Sequence, residues 1–391
     1  MLNLRVINIV DSVDALNYGV WNAAINNASQ LLAQGFETEL WYPETEGFNI
    51  QKVACVPIKS SSISALRVLV KQRELNPHTD VIVTHGIWQF CSKWGHYLHN
   101  IGYRWIYVPQ GMLEPWPLRQ KWLKKKIYFH FVEKRLAESA DVIRAVSKPE
   151  LHNLKQKFQG KRIEFLPNAV DAQYSAPRTH IVGNNQIKRY LFLSRLHHKK
   201  NVLGLAQAWL QSSLNNESAF ELIIAGPDQG ELEQLKSMIG SSSNLTYVGA
   251  VFGEEKKALL RQCTFYVLPS FSEGLPSALL EAMAEGLVPI ITEGCNFPDV
   301  FENQLGAKIT TDMRSIKDAL ETTARWGSGE IRDKSERSRA LIVEQYSFEA
   351  LTKKQIEVCF DTVSSMQSSF RSNDNINIFQ FCQHTIGKTR N

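Results

Sequence analysis

Short runs of β-branched and aromatic residues alternate along the chain with longer stretches whose apolar positions recur at helical spacing. In the first half this pattern predicts strands at Arg5–Val10, Thr38–Tyr42, Val53–Pro57, Asp80–His85, Arg104–Pro109, Asp141–Val146 and Arg162–Pro167. Helices are expected between most of them, including Trp21–Ala33 and Ile63–Glu74. The pattern restarts at Arg189–Ser194, Phe220–Ala225, Leu245–Val248, Phe265–Leu268, Val288–Ile291 and Lys308–Thr310. Strands that alternate with helices imply parallel sheets covered on both faces. The polar stretch Asn168–Gln186, with Pro177 and a Gly183-Asn-Asn turn signal, is the expected interdomain linker. From Ile316 to Phe360 the spacing predicts helix. The Ser- and Asn-rich tail after Ser364, with its aromatic cluster Ile378–Phe381, is either loose or packed back on the first domain.

A length of 391 residues suits two such domains of about 170 to 200 residues each. Hydrophobic residues at 43% and charged residues at 21% exclude a disordered chain. The net charge of +5 is too slight to imply nucleic acid, so no such partner is expected. No apolar run is long enough to span a bilayer. The N-terminus runs straight into a strand without a cationic leader or cleavage site, and a cytoplasmic location is expected. The six cysteines are scattered without a CxxC pair, which favours reduced thiols over zinc ligands or disulfides.

Two strand–loop–helix junctions carry the chemistry. In Pro269-Ser-Phe-Ser-Glu273-Gly274-Leu275-Pro276-Ser277, a glycine loop leads from a strand into a helix, with Pro276 expected at the first helical position. Free backbone N–H groups at such a junction suit a diphosphate, and Gly274 permits close approach. Glu273, and Glu281 eight residues on, either accept hydrogen bonds from vicinal hydroxyls or are ordinary loop and helix-surface residues. In Ser194-Arg195-Leu-His-His-Lys199-Lys200-Asn201, Arg195 offers a planar fork for phosphate oxygens. Lys199 and Lys200 compete to supply a second cation. The alternative is a solvated basic turn.

Together these segments resemble the retaining glycosyltransferases of family 4, which have the GT-B fold of two Rossmann-like domains facing across a cleft. Glu273 and Glu281 match the family's E-x7-E signature. Arg195 and Lys200 match Arg-Leu-x-x-x-Lys, with Asn201 where many members have glycine. Pro167-Asn-Ala169-Val-Asp171 is similar to an interdomain P-N-G-V-D, with Ala169 replacing glycine, and Ile224-Ala-Gly226-Pro-Asp228 to a strand-end glycine turn. The resemblance is strong from Leu166 to Phe360 and weaker over the first 160 residues.

The resemblance implies residues 1–170 as an acceptor-side domain and 171–348 as a nucleotide-sugar domain, with 349–391 returning to the first. It implies that Arg195 and Lys200 hold a nucleoside-diphosphate sugar, that Glu273 contacts the sugar and that Glu281 holds the ribose. Amides near Gly274, Leu275 and Ser277 would bind phosphate and sugar, and Val248 would lie on the base-recognition edge. Gly19, in Asn17-Tyr-Gly-Val20, matches a phosphate-side turn or is a plain turn. His85 and Gln110 resemble acceptor-side positions. Many relatives carry a basic residue at the position of Gln110, and His85 is equally readable as a hydrogen-bonded strand-end histidine.

The absence of an Asp-x-Asp pair implies no metal and no cofactor beyond the donor. The implied acceptor is a glycan or polyprenyl-linked glycan in cell-surface polysaccharide synthesis. The segment Arg119–Arg135 has seven basic residues against one acid, interleaved with aromatic and aliphatic positions. It is either a peripheral contact with an anionic membrane at its inner face or a core helix with a solvated basic face. The rival functions are a nucleotide-sugar epimerase on the same fold and a non-catalytic sugar-nucleotide-binding protein.

Overall fold

The computed structural model describes residues 4–14, 16–44, 50, 53–116, 122–172 and 187–370. All thirteen expected strands form. β1 (Leu4–Val10), β2 (Phe36–Pro43), β3 (Ala54–Ile58), β4 (Asp80–His85), β5 (Arg104–Val108), β6 (Val142–Ala145) and β7 (Ile163–Phe165) build one parallel sheet in the order β3-β2-β1-β4-β5-β6-β7. β8 (Lys188–Leu193), β9 (Phe220–Ala225), β10 (Leu245–Tyr247), β11 (Phe265–Leu268), β12 (Val288–Thr292) and β13 (Ala307–Ile309) build the second in the order β10-β9-β8-β11-β12-β13.

Alternation along the strands explains why both faces of the first sheet are covered. Ile7 and Ile9, Ile82, Trp105 and Tyr107, and Ile143 join one buried cluster. Their neighbours Val6, Val81 and Val83, Ile106 and Val108, and Val142 join another, which continues through Val170, Val358 and Cys359 into the second domain.

Two helices differ from the sequence pattern. The stretch expected as Trp21–Ala33 is two helices, Tyr18–Ile25 and Ala28–Ala33. At the break, Asn26 donates to the Ala169 carbonyl at 2.5 Å and Asn27 to Gln355 at 2.6 Å, so the interruption binds both the interdomain connection and the last helix. The long helical stretch from Ile316 is three helices, Met313–Ala324, Ser328–Gln345 and Phe348–Phe370. Between the last two, Ser347 pairs with Val170 in a β-bridge. Phe348–Phe370 thereby crosses to the first domain, where Leu351 packs on Leu166 and Ala169 and Lys354 lies over Phe165. The tail beyond Phe370, with the Ile378–Phe381 cluster, lies outside the described residues, as do residues 173–186 of the linker.

The basic segment forms Trp122–Tyr128, a π-helical turn Phe129–Glu133, and Lys134–Ala137. Its sole acid, Glu133, points inward, accepting from Ser92 at 2.5 Å and Tyr107 at 2.9 Å. Residues 117–121 lie outside the described residues. Among the described residues, Cys55, Cys91, Cys263, Cys295 and Cys359 form no disulfide, and Cys382 is outside the described residues.

Candidate active site

The carboxyl ends of the two sheets face each other across a cavity of about 460 Å³. On the second-domain wall, the basic turn after β8 and the loop after β11 are hydrogen-bonded together. Phe271 N–H donates to the Lys199 carbonyl at 2.9 Å, and Ser270 Oγ lies 3.0 Å from that carbonyl. Asn201 takes a left-handed φ of 56°, and its amide donates to the Thr311 carbonyl at 2.8 Å. Asparagine is among the few non-glycine residues that tolerate that conformation, so it replaces glycine here without loss of the turn. Ala169 takes no positive φ, so its substitution for glycine also costs nothing.

Glu273 is buried, and its two oxygens each receive Lys200 Nζ at 2.6 Å, with the Ser270 hydroxyl at 2.6 Å. Burial alone would raise the Glu273 pKa, but the Lys200 and Lys199 charges outweigh it and hold the carboxyl below its ordinary range. Lys200 is thus engaged by a carboxylate while still lining the cavity. Lys199 lines it too, lies over the Trp116 ring at 5.4 Å, and has its pKa pushed down to about 8, mainly by burial and then by neighbouring cations against the pull of Glu273. Arg195 donates to Gln229 at 3.1 Å, and burial lowers its pKa.

Gly274, Leu275 and Ser277 line the cavity at the start of helix Ser277–Ala284. Pro276 sits at the N-cap, one residue before the position expected for it. Glu281 also lines the cavity and pairs with Lys256 at 2.8 Å. Lys256 lies over Tyr18 of the first domain, with its Nζ 5.4 Å from the ring centre. Burial would depress Lys256, but Glu281 and Tyr18 raise it. Nothing in the sequence marks Lys256, which sits in an ordinary charged helix, Gly253–Gln262.

The first-domain wall includes Gly19, with open space where a Cβ would stand, and Gln110. Of the two readings of His85, its geometry matches the hydrogen-bonded histidine. It follows Val81 and Val83 on the sheet face rather than pointing off the strand end, and it is buried outside the cavity lining. One ring nitrogen meets Asn8 at 2.9 Å and the other Gln110 at 3.2 Å. Burial and the nearby Arg144 charge push its pKa down to about 3, so the ring is neutral at physiological pH. Asn168 donates to Gln110 at 3.1 Å and accepts from Arg144 at 3.2 Å, which completes a polar chain behind the wall. Val248 is 46% exposed and outside the lining, while Gly226, Pro227, Val251 and Phe252 form that edge of the cavity. Trp88, just past the strand end at His85, and Lys125, from the basic segment, line the first-domain side.

The walls meet at backbone level. A Cβ on Gly111 would fall 2.3 Å from Gly274 Cα, and one on Gly274 would fall 2.7 Å from the Gln110 carbonyl. Trp116 stacks on Phe271 at 6.1 Å, and Lys148 pairs with Asp299 at 2.7 Å. Behind Gly111, Glu150 accepts its N–H at 2.6 Å and that of Val146 at 2.7 Å. Among the described residues, no three His, Cys, Asp or Glu side chains gather as a metal-binding group.

The family described as Glycosyltransferase Family 4 matches residues 18–174, and the one described as Glycosyl transferases group 1 matches residues 180–345. The chain belongs to glycosyltransferase family 4. The E-x7-E and Arg-Leu-x-x-x-Lys residues of this family 4 chain therefore face one cavity between its domains. The chain is 34% identical over 131 residues to the amylovoran biosynthesis glycosyltransferase AmsK of Erwinia amylovora, covering 31% of each. It is 28% identical over 137 residues to the GDP-mannose:cellobiosyl-diphosphopolyprenol alpha-mannosyltransferase of Xanthomonas oryzae pv. oryzae, covering 34% of this chain and 35% of the relative. Across the curated relatives the matched stretches span 31% to 51% of the relative's length. Sucrose-phosphate synthase from Thermosynechococcus elongatus shares the GT-B fold at a TM-score of 0.73 and 15% identity, covering 92% of this chain and 100% of that one.

Proposed function

We propose that this chain transfers a sugar from a nucleoside-diphosphate donor to a glycan or lipid-linked glycan in cell-surface polysaccharide synthesis, with retention at the anomeric carbon and without a metal. The observation that carries this reading is the convergence of Arg195, Lys200, Glu273 and Glu281 on one interdomain cavity. Arg195 and Lys200, with Lys199 beside them, place positive charge beside the amides of Gly274, Leu275 and Ser277, a setting suited to a diphosphate and to the charge it gains on leaving. The Lys200–Glu273 pair meets the transferred sugar, and Glu281, steadied by Lys256, accepts from ribose hydroxyls. The acceptor hydroxyl attacks on the face from which the nucleotide departs, and the leaving phosphate oxygen takes its proton. The Xanthomonas relative, by its name, supports the donor and acceptor classes, and AmsK, named for amylovoran biosynthesis, supports a biosynthetic glycosyltransferase.

The basic helix supports contact with an anionic membrane. Leu123, Ile127 and Phe131 are 55%, 51% and 58% exposed at four-residue intervals, beside exposed Lys124 and Lys126. An anionic surface attracts each such lysine by about 1 kcal/mol.

The test is transfer and donor hydrolysis with UDP- and GDP-linked sugars, with the product anomer read by NMR. Transfer should persist in excess EDTA, and an inverted product or activity restored only by added Mg²⁺ or Mn²⁺ would overturn the mechanism. A donor converted in the absence of acceptor, with its diphosphate link intact, would favour the epimerase. Lys124→Glu with Lys126→Glu should abolish binding to phosphatidylserine vesicles and leave donor hydrolysis intact; unchanged vesicle binding would sink the membrane contact.

A further inference from the structure

Lys200 and Ser270 hold the carboxylate of Glu273, while a separate turn holds the peptide that carries it. That turn, Glu293–Cys295, follows β12 and ends at Asn296. Glu273 N–H donates to the Gly294 carbonyl at 2.6 Å, and Asn296 Nδ2 donates to the Glu273 carbonyl at 2.7 Å. The Thr292 hydroxyl donates to the Ser270 carbonyl at 2.6 Å. Gly294 is pressed onto the same loop, since a Cβ there would fall 2.6 Å from the Phe271 carbonyl.

Asn296 takes a left-handed φ of 55°, a conformation that glycine adopts more readily, so the backbone alone does not call for asparagine. Its side chain is half-buried and outside the cavity lining. The carbonyl it serves stands where the two walls meet, for a Cβ on Gly111 would fall 3.2 Å from it. A carbonyl closed in at such a junction needs a donor, and the amide supplies one from the same domain.

The first domain bears on this turn at two further points. Lys148 pairs with Asp299, three residues beyond Asn296, at 2.7 Å. Glu114 is buried beside Asn296; burial raises its pKa, and the Asn153 and Asn296 amides pull against that rise. Residues 292–299 therefore touch the first domain on one side and both backbone polar groups of Glu273 on the other.

We propose that Asn296 is a positioning residue that sets the Glu273 carboxylate against the transferred sugar, and that closure of the first domain on residues 292–299 holds it there. This rests on the assignment of Glu273 to that sugar. A nucleoside diphosphate lacks the sugar, so its binding should not depend on Asn296.

The experiment compares Asn296→Gly, Asn296→Asp and Glu273→Ala with wild type in the full chain. It measures hydrolysis of UDP-glucose, UDP-N-acetylglucosamine and GDP-mannose, and calorimetric binding of UDP and GDP. Glycine keeps the left-handed turn and removes the amide, whereas aspartate keeps the size and replaces the donor with a carboxylate. Both should lower kcat by about tenfold or more, as expected when a reacting group is displaced, and leave nucleoside diphosphate affinity within about twofold. If Asn296→Asp does not fold, Asn296→Gly decides alone. Lys148→Ala should lower kcat by itself and add little to Asn296→Gly, because both act through one stretch of chain. Equal kcat in wild type and Asn296→Gly, or a loss of nucleoside diphosphate affinity that matches the loss of turnover, would overturn the positioning role. Losses that multiply in full when Lys148→Ala and Asn296→Gly are combined would overturn the role of closure. Full turnover in Glu273→Ala would mean that the sugar assignment has failed, and a crippled Glu273→Ala beside a normal Asn296→Gly that the positioning alone has.

Discussion

On the second-domain wall of the cleft, charges are held close together. Lys200 and Glu273 form a buried pair, Lys256 and Glu281 a half-buried one, and Lys199 and Arg195 stand beside them. On the first-domain wall the corresponding layer is a neutral hydrogen-bonded chain, Asn8–His85–Gln110–Asn168, anchored by Arg144. One wall is built to meet a strongly anionic group. The other holds the strand end and the Gln110–Gly111 turn in place, and among its described lining residues Lys125 brings charge to it. The difference predicts that changes on the charged wall strike turnover, whereas those at the meeting of the walls strike closure.

The largest effect should come from that charged wall. Lys200→Ala and Arg195→Ala should lower kcat by about 10²–10³-fold at saturating donor. Lys199→Ala should lower it much less, and the reverse ranking would mean that the basic motif is aligned one residue out. Because Lys200→Ala also strands Glu273, at a cost of about 3–5 kcal/mol in stability, Lys200→Ala combined with Glu273→Gln separates the two losses. Stability should recover in the double variant while kcat stays low.

Next comes the contact between the walls. Gly274→Ala places a Cβ against the Gln110 carbonyl, which backbone cannot easily yield. The domains should part, measurable as a larger radius of gyration in solution scattering together with a fall in kcat. An unchanged radius with full activity would show that this contact is dispensable.

Glu281→Ala should act more mildly, raising donor KM by about tenfold with kcat retained, since ribose contacts persist from ground state to transition state. A loss confined to kcat would move Glu281 to the reacting centre.

The smallest effect is a slope. Lys199 has a pKa of about 8 against an ordinary 10.5, so it loses its charge as pH rises through 8. Nucleotide affinity should fall over that range, and Lys199→Ala should flatten the fall. In the unliganded protein the sign is opposite. Between about 8 and 10.5 the unfolded chain binds the extra proton, so this group's contribution to stability increases with pH. A chemical denaturation series on wild type and Lys199→Ala checks it.

Much of the second-domain wall is legible in the amino-acid sequence. Arg195, Lys200, Glu273 and Glu281 lie on loops and a helix start that follow strands, and the strand pattern alone puts such ends on one edge of a parallel sheet. The strands themselves are readable because alternation is a local property of successive residues. The helix breaks at Asn26–Asn27 and Ser347 are not, since their partners Ala169, Gln355 and Val170 lie far along the chain.

Sequence alone determined two parallel sheets, the turn at Asn201 and the residue types able to meet a diphosphate. Tertiary structure decided that His85 is held in a buried layer by Asn8 and Gln110, because those partners come from other parts of the chain. It also decided that Lys256, unmarked within a charged helix, meets Glu281 and Tyr18, and that Lys125 turns inward while its two neighbours face water. Local periodicity settles which side of an element is apolar, but which distant charge stands opposite depends on how two separately folded domains close on each other.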